Sequence, residues 1–160
     1  MEETTLPVTG KSLRTALDGA EIPPHRILVV DDDADIRCLN TDALTQSGYH
    51  VDAAHDGAVA WNTLQLKNYD LLVTDNDMPK VTGVELLKKL HAARMALPVI
   101  MATGKLPLHE FTRHPHIEPD AVLLKPYTID ALLHKVQEIL GAVTHAREQI
   151  ATAPDWQSQT

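Results

Sequence analysis

The sequence is short of aromatic residues, cysteine and basic charge. Aromatics make up 4% of its 160 residues, so aliphatic side chains must fill most of any core. The single cysteine, Cys38, excludes an intramolecular disulfide and fits a reducing compartment. Lys and Arg number 14 against 22 Asp and Glu, a formal net charge of −8. With no basic stripe to reverse it, that balance argues against binding nucleic acid through phosphate neutralisation. No apolar run approaches the about 20 residues needed to cross a bilayer, so membrane insertion is not expected. Met1-Glu-Glu is not followed by a basic and then an apolar region, so no signal peptide is expected. A cytoplasmic protein is the resulting expectation. What the chain does have is 44% hydrophobic residues, enough for a core, and a length suited to one domain with tails.

Those hydrophobic residues fall into short runs separated by helical patterns. Residues 1–25, rich in Thr, Glu and Gly and closed by Pro23-Pro24, read as a flexible extension, with at most a helical turn from Ser12 to Leu17. Gly10-Lys11-Ser12 has the ending of a phosphate-binding loop, but the earlier glycine and the preceding strand are missing. Strands are predicted at 26–31, 50–54, 70–75, 98–102 and 121–125. Helices are predicted from Asp33 to about Ser47, from Gly57 to Lys67, after Gly83, and from Thr128 onward. The stretch 106–117 holds Pro107, Pro115 and three histidines, so its helix should be short. Residues 142–160 read as a polar tail containing Trp156. Alternating strands and helices imply a parallel sheet covered on both faces. Right-handed crossovers with a switch beside the first strand give an α/β, flavodoxin-like (βα)5 fold, a doubly wound parallel sheet of order 2-1-3-4-5, over residues 26–141.

In such a sheet the ligand site lies at the carboxyl ends of the strands. Four runs end there in polar groups: Arg26-Ile-Leu-Val-Val-Asp31-Asp32-Asp33, Asp70-Leu-Leu-Val-Thr-Asp75, Pro98-Val-Ile-Met-Ala-Thr103 and Ala121-Val-Leu-Leu-Lys125-Pro126. Asp31, Asp32 and Asp75 would repel one another unless a cation sat among them. Mg²⁺, hard and oxygen-seeking, suits such a set and leaves room for a phosphate. A helix N-cap explains Asp33, but not Asp75, which precedes Asn76-Asp-Met-Pro. Thr103 and Lys125 add a hydroxyl and an ammonium that can bond phosphoryl oxygens.

The order and spacing of these pieces resemble the receiver domain of two-component response regulators. The resemblance covers about residues 25–141 and rests on Ile27-Leu-Val-Val-Asp-Asp-Asp33, Asp75-Asn-Asp-Met-Pro79 with Gly83, Pro98-Val-Ile-Met-Ala-Thr103 and Lys125-Pro126-Tyr127. It implies that Asp75 is the phosphoacceptor, Asp32 a direct Mg²⁺ ligand, Asp31 a ligand through water, and Asp77 a ligand through its backbone carbonyl. Thr103 is implied as the switch hydroxyl and Lys125 as the phosphoryl-binding lysine. The implied partners are a histidine kinase or histidine phosphotransfer protein and a downstream protein. The implied state is a monomer or a phosphorylation-dependent dimer, and its only catalysis is self-phosphorylation and autodephosphorylation. Val122 stands where many receivers carry a switching aromatic, and Gly104 where many carry alanine. The resemblance also implies that water reaches the acceptor past Asp77 and Lys105, whose opposite charges would either pair and obstruct it or leave Asp77 to orient it.

Two other functions use the same residues. Asp75-Asn-Asp77 after an apolar strand also resembles the Asp-x-Asp of haloacid-dehalogenase-type phosphohydrolases, but it falls on the third strand and Pro79 breaks that pattern. A receiver-like scaffold without phosphate turnover would not need the full acidic set. His109, His114 and His116 suit a transition metal by type, although His-Pro-His fits a loop equally well. Cys38 reads as a small semi-buried helix residue and Trp61 as packing a helix onto the sheet.

Overall fold

The computed structural model describes residues 24–151; the predicted N-terminal turn, the Gly10-Lys11-Ser12 stretch and Trp156 lie outside them. Strands β1 (Arg26–Val30), β2 (His50–Ala54), β3 (Leu71–Thr74), β4 (Val99–Thr103) and β5 (Ala121–Leu124) form one parallel sheet of order β2-β1-β3-β4-β5. Helices α1 (Ala34–Gln46), α2 (Gly57–Leu66), α3 (Gly83–Ala92), α4 (Leu108–Arg113) and α5 (Ile129–Ala151) connect and follow the strands, with a 3-10 turn at Pro115–Ile117. The predicted fold class and strand order are those observed.

Alternating strand residues divide the core into two layers. Ile27, Val29, Leu71, Val73, Ile100 and Ala102 face Leu44 of α1 and Leu132, Val136 and Leu140 of α5. Leu28, Val30, Leu72 and Met101 face Ala60 and Leu64 of α2, Leu86 and Leu90 of α3, and Phe111 of α4. Both faces of the central strands are therefore apolar, as a doubly covered parallel sheet requires. Each fully buried leucine, such as Leu44 or Leu86, contributes about 1.5–3 kcal/mol of burial.

Two aspartates fix the starts of paired strands. Asp70 donates its N–H to the Arg26 carbonyl and accepts the Arg26 N–H on its carboxylate, both at 2.8 Å. Asp120 does the same with Val99, again at 2.8 Å each way. Helix starts follow the predicted caps: Asp33 accepts the N–H groups of Asp35 and Ile36, and Thr128 that of Ala131. Gly48, at φ 97°, ends the α1 segment in a conformation favourable only to glycine.

Three local expectations need correction. The final helix does not stop near residue 141 but runs to Ala151, because residues 142–151 contain neither Pro nor Gly and Gly141 alone does not break it. Cys38 is exposed, its Sγ 3.6 Å from the Asp42 carboxylate, because it lies on the outward face of α1. Leu66, an apolar residue inside the helix predicted over 57–67 and so expected to pack inward, is 84% exposed at the helix end. Trp61 is half-buried against the core, with the Lys89 ammonium 5.6 Å from its ring centre.

Candidate functional site

Register brings the strand-end residues together. Val30 pairs with Thr74, so Asp31 and Asp75 emerge side by side, and the Asp75 N–H donates to the Val30 carbonyl at 3.0 Å. Thr103 pairs with Leu124, and the next residue, Lys125, donates its N–H to the Thr103 carbonyl at 2.9 Å. The peptide between Lys125 and Pro126 is cis. The Lys125 ammonium lies 2.9 Å from Asp31 Oδ2 and 3.2 Å from Asp75 Oδ2, bridging the two carboxylates. Carboxylate oxygens of Asp31, Asp32 and Asp75 all lie within 4.8 Å of one another. Asp31 and Asp75 are buried, while Asp32 is exposed at the mouth.

Burial opposes charge on both sides of the bridge. It pushes the Asp31 carboxyl up, against the lowering effect of the Lys125 hydrogen bond and the Asp33 N–H at 2.9 Å, and the Asp75 charge adds to the rise. For Lys125 burial acts downward, but the hydrogen bond and charge of Asp31, then the charge of Asp75, outweigh it and hold the ammonium protonated. Two buried acids with one ammonium leave negative charge uncompensated, which favours a further cation. The donors are all oxygen, as a Mg²⁺ site requires.

The segment after Asp75 is tightly held. Asp75 Oδ1 accepts the Asn76 N–H at 2.7 Å, and the Asn76 side chain accepts the Val84 N–H at 3.0 Å. The Asn76 carbonyl accepts from Met78 and Gly83. A Cβ on Gly83 would stand 2.5 Å from the Asp75 carbonyl oxygen, so only glycine lets α3 begin this close. Thr82 and Glu85 form a reciprocal capping box at the start of α3. Lys80, at φ 68°, places its ammonium 3.5 Å from the buried Asp56, the N-cap of α2. Asp77 is exposed two residues after Asp75, and its carbonyl accepts no hydrogen bond among the described residues.

The Thr103 hydroxyl is buried and engaged with its own loop, 3.3 Å from the Lys105 carbonyl and 3.4 Å from the Lys105 nitrogen. Asp77 and Lys105 are both exposed and form no ion pair among the described residues, so the expected pairing across the mouth is absent. Val122 is half-buried on β5 beside Met101. The buried Asn40 escaped notice in the sequence: its amide donates to the Tyr127 hydroxyl at 2.7 Å, tying α1 to the turn after Lys125-Pro126. Asp56 also escaped it, although Asp56-Gly57 before an apolar helix is a readable cap signal.

A family model described as the response regulator receiver domain matches residues 27–137. The chain belongs to this family. Among curated relatives, the sensor protein EvgS of Escherichia coli O157:H7 is 35% identical over 125 residues, covering 74% of this receiver chain and 10% of EvgS. The response regulator MprA of Mycobacterium avium is 33% identical over 115 residues, covering 72% of this chain and 50% of MprA. The receiver chain thus spans about half or less of these relatives. A CheY-like receiver domain protein from Methanospirillum hungatei superposes with a TM-score of 0.70 at 31% identity, covering 74% of this chain and 95% of that one. The response regulator TrrA of Thermotoga maritima, solved in complex with Mg²⁺ and BeF, has a TM-score of 0.64 at 30% identity, covering 72% and 98%. Receiver domains of this family are phosphoacceptor signalling modules. No helix among the described residues is long and apolar enough to cross a membrane.

Proposed function

We propose that Asp75 accepts a phosphoryl group from a phosphohistidine on a histidine kinase or histidine phosphotransfer protein, in a Mg²⁺-dependent reaction in the cytoplasm. The observation that carries this reading is the Lys125 ammonium bridging Asp31 and Asp75 beside the three-carboxylate cluster. Asp31, Asp32, Asp75 and the Asp77 carbonyl would hold the Mg²⁺. When bound, the ion supplies positive charge against the phosphoryl oxygens. An Asp75 carboxylate oxygen attacks phosphorus, the P–N bond to the donor imidazole breaks, and the electron pair leaves with the imidazole nitrogen. Lys125 stays protonated and turns part of its hydrogen bonding from Asp75 to the incoming phosphoryl oxygens. The packed β3–α3 segment keeps the attacking oxygen in place, so catalysis here is positioning and electrostatics.

Thr103 carries the readout in this reading. Its hydroxyl exchanges the long bonds to Lys105 for a phosphoryl oxygen and draws the β4–α4 loop toward Asp75. Output then passes to a downstream protein by surface contact, as a monomer or a phosphorylation-dependent dimer. Acetyl phosphate with Mg²⁺ tests the reading. The expected result is one phosphoryl group per chain, abolished by Asp75→Asn and by chelation. Continuous phosphate release without a stable adduct would replace it with a phosphohydrolase, and no reaction at all with a scaffold.

A further inference from the structure

At the other end of the sheet, α3 and the 3-10 turn before β5 bring three histidines together. The ring centres of His91 and His116 are 4.4 Å apart, tilted by 46°. His114 lies edge-on to His116 at 5.9 Å. The sequence suggested His109 as the third member, but among the described residues it makes no ring contact with the others, whereas His91 arrives from α3. His91 and His116 also line a cavity of about 120 Å³ whose floor is apolar, with Leu87, Leu90 and Ile117, and whose rim carries Glu118 and Asp120. One Asp120 oxygen is committed to the Val99 N–H, and Glu118 is exposed.

We propose that His91, His114 and His116 form a site for a borderline transition-metal ion of the Zn²⁺ class, with Glu118 the neighbouring carboxylate. Neutral imidazoles each offer one lone pair, and the imidazole-rich donor set suits Zn²⁺ or Cu²⁺ rather than Mg²⁺. The acidic trio is the only set of three such donors already within 4.8 Å among the described residues, so the imidazoles close on the ion by rotation. That rotation is open to them, because His91 and His116 are exposed and the torsion to an imidazole ring is broad. The apolar floor keeps the rings against the cavity, and the rim carboxylates favour a cation. A bound ion would join the end of α3 to the segment entering β5, at the opposite end of the sheet from the phosphoacceptor.

The test is calorimetric titration with ZnCl₂ in excess Mg²⁺, which occupies the acidic cluster. One Zn²⁺ per chain is expected, with affinity falling about tenfold or more in His91→Ala and in His116→Ala, since loss of even a supporting partner of a metal ligand costs about that much. His109→Ala leaves the affinity unchanged. Co²⁺ absorption in the visible gives a second readout, lost in the same two variants. Unfolding curves of the variants in metal-free buffer identify any loss of fold. Absence of binding, or equal affinity in wild type and His91→Ala, overturns the site. Loss in His109→Ala with retention in His91→Ala overturns it in favour of a loop site.

Discussion

Two loops meet at the carboxyl ends of the sheet, and they are built in opposite ways. The loop after β3 is fixed by the Asn76 bonds, the capping box, the Lys80–Asp56 pair, and two glycines that admit no Cβ. The loop after β4 has little of this. A Cβ on Gly104 would meet nothing within 4 Å, Pro107 stands at the N-cap of α4 and offers no side-chain cap, and the Thr103 hydroxyl holds only bonds of 3.3 and 3.4 Å. Under the function proposed above, the contrast separates two tasks at one site. A group that performs chemistry gains from being held in place, whereas a group that reports the chemistry must have somewhere to go and little to give up. In that reading Val122, a valine, has no ring to swing, and the slack of the β4–α4 loop is the freedom through which the site would signal.

The largest effects should come from filling the space in the tight loop and between it and the first residue of α2. A Cβ at residue 57 would stand 2.0 Å from the Val81 carbonyl oxygen, and one at residue 83 would stand 2.5 Å from that of Asp75. Backbone atoms cannot swing aside. Gly57→Ala and Gly83→Ala should each cost about 1–3 kcal/mol in urea unfolding. A neutral result would mean the loop gives way readily and the contrast is false.

Next comes the cation. Asp32→Ala should weaken Mg²⁺ binding about tenfold or more, and more than Asp31→Ala does, when both are read by calorimetry. Asp32 is exposed and free to face an ion, whereas Asp31 is already committed to Lys125 and the Asp33 N–H. The reverse order would move the ion deeper into the site.

The Lys80–Asp56 clamp gives a pH signature. The Val59 N–H, with Lys80, holds the Asp56 carboxyl below its ordinary value of 3.8. A depressed folded value stabilises the protein above the ordinary value, and the gain is lost as pH falls through the folded one. Asp56→Asn keeps an N-cap but removes the charge. The stability gap between wild type and this variant should therefore be open above pH 3.8 and close on further acidification. A gap independent of pH would mean that the charge contributes nothing to the clamp.

The smallest effect should come from the slack loop. Gly104 is exposed and its φ is not left-handed. Gly104→Ala should stabilise by up to about 1 kcal/mol, through the unfolded chain alone. A clear loss would reveal packing that the β4–α4 loop shares with its neighbour.

How much was legible in advance follows the same physics. By itself the sequence determined the (βα)5 order, the two-faced core, and the meeting of Asp31, Asp32, Asp75 and Lys125. Apolar period, helix caps and the geometry of parallel strands are local or topological, and they leave no other place for strand-end residues to go. The Asn40–Tyr127 bond, the Lys80–Asp56 pair and the His91–His116 contact could not be read the same way. Each joins side chains from separate elements, whose distance depends on how helices settle on the sheet to within an ångström or so. The continuation of α5 through Ala151 and the turning of the Thr103 hydroxyl onto its own loop were likewise left to the tertiary structure. There, alternatives of nearly equal local energy are separated only by what packs around them.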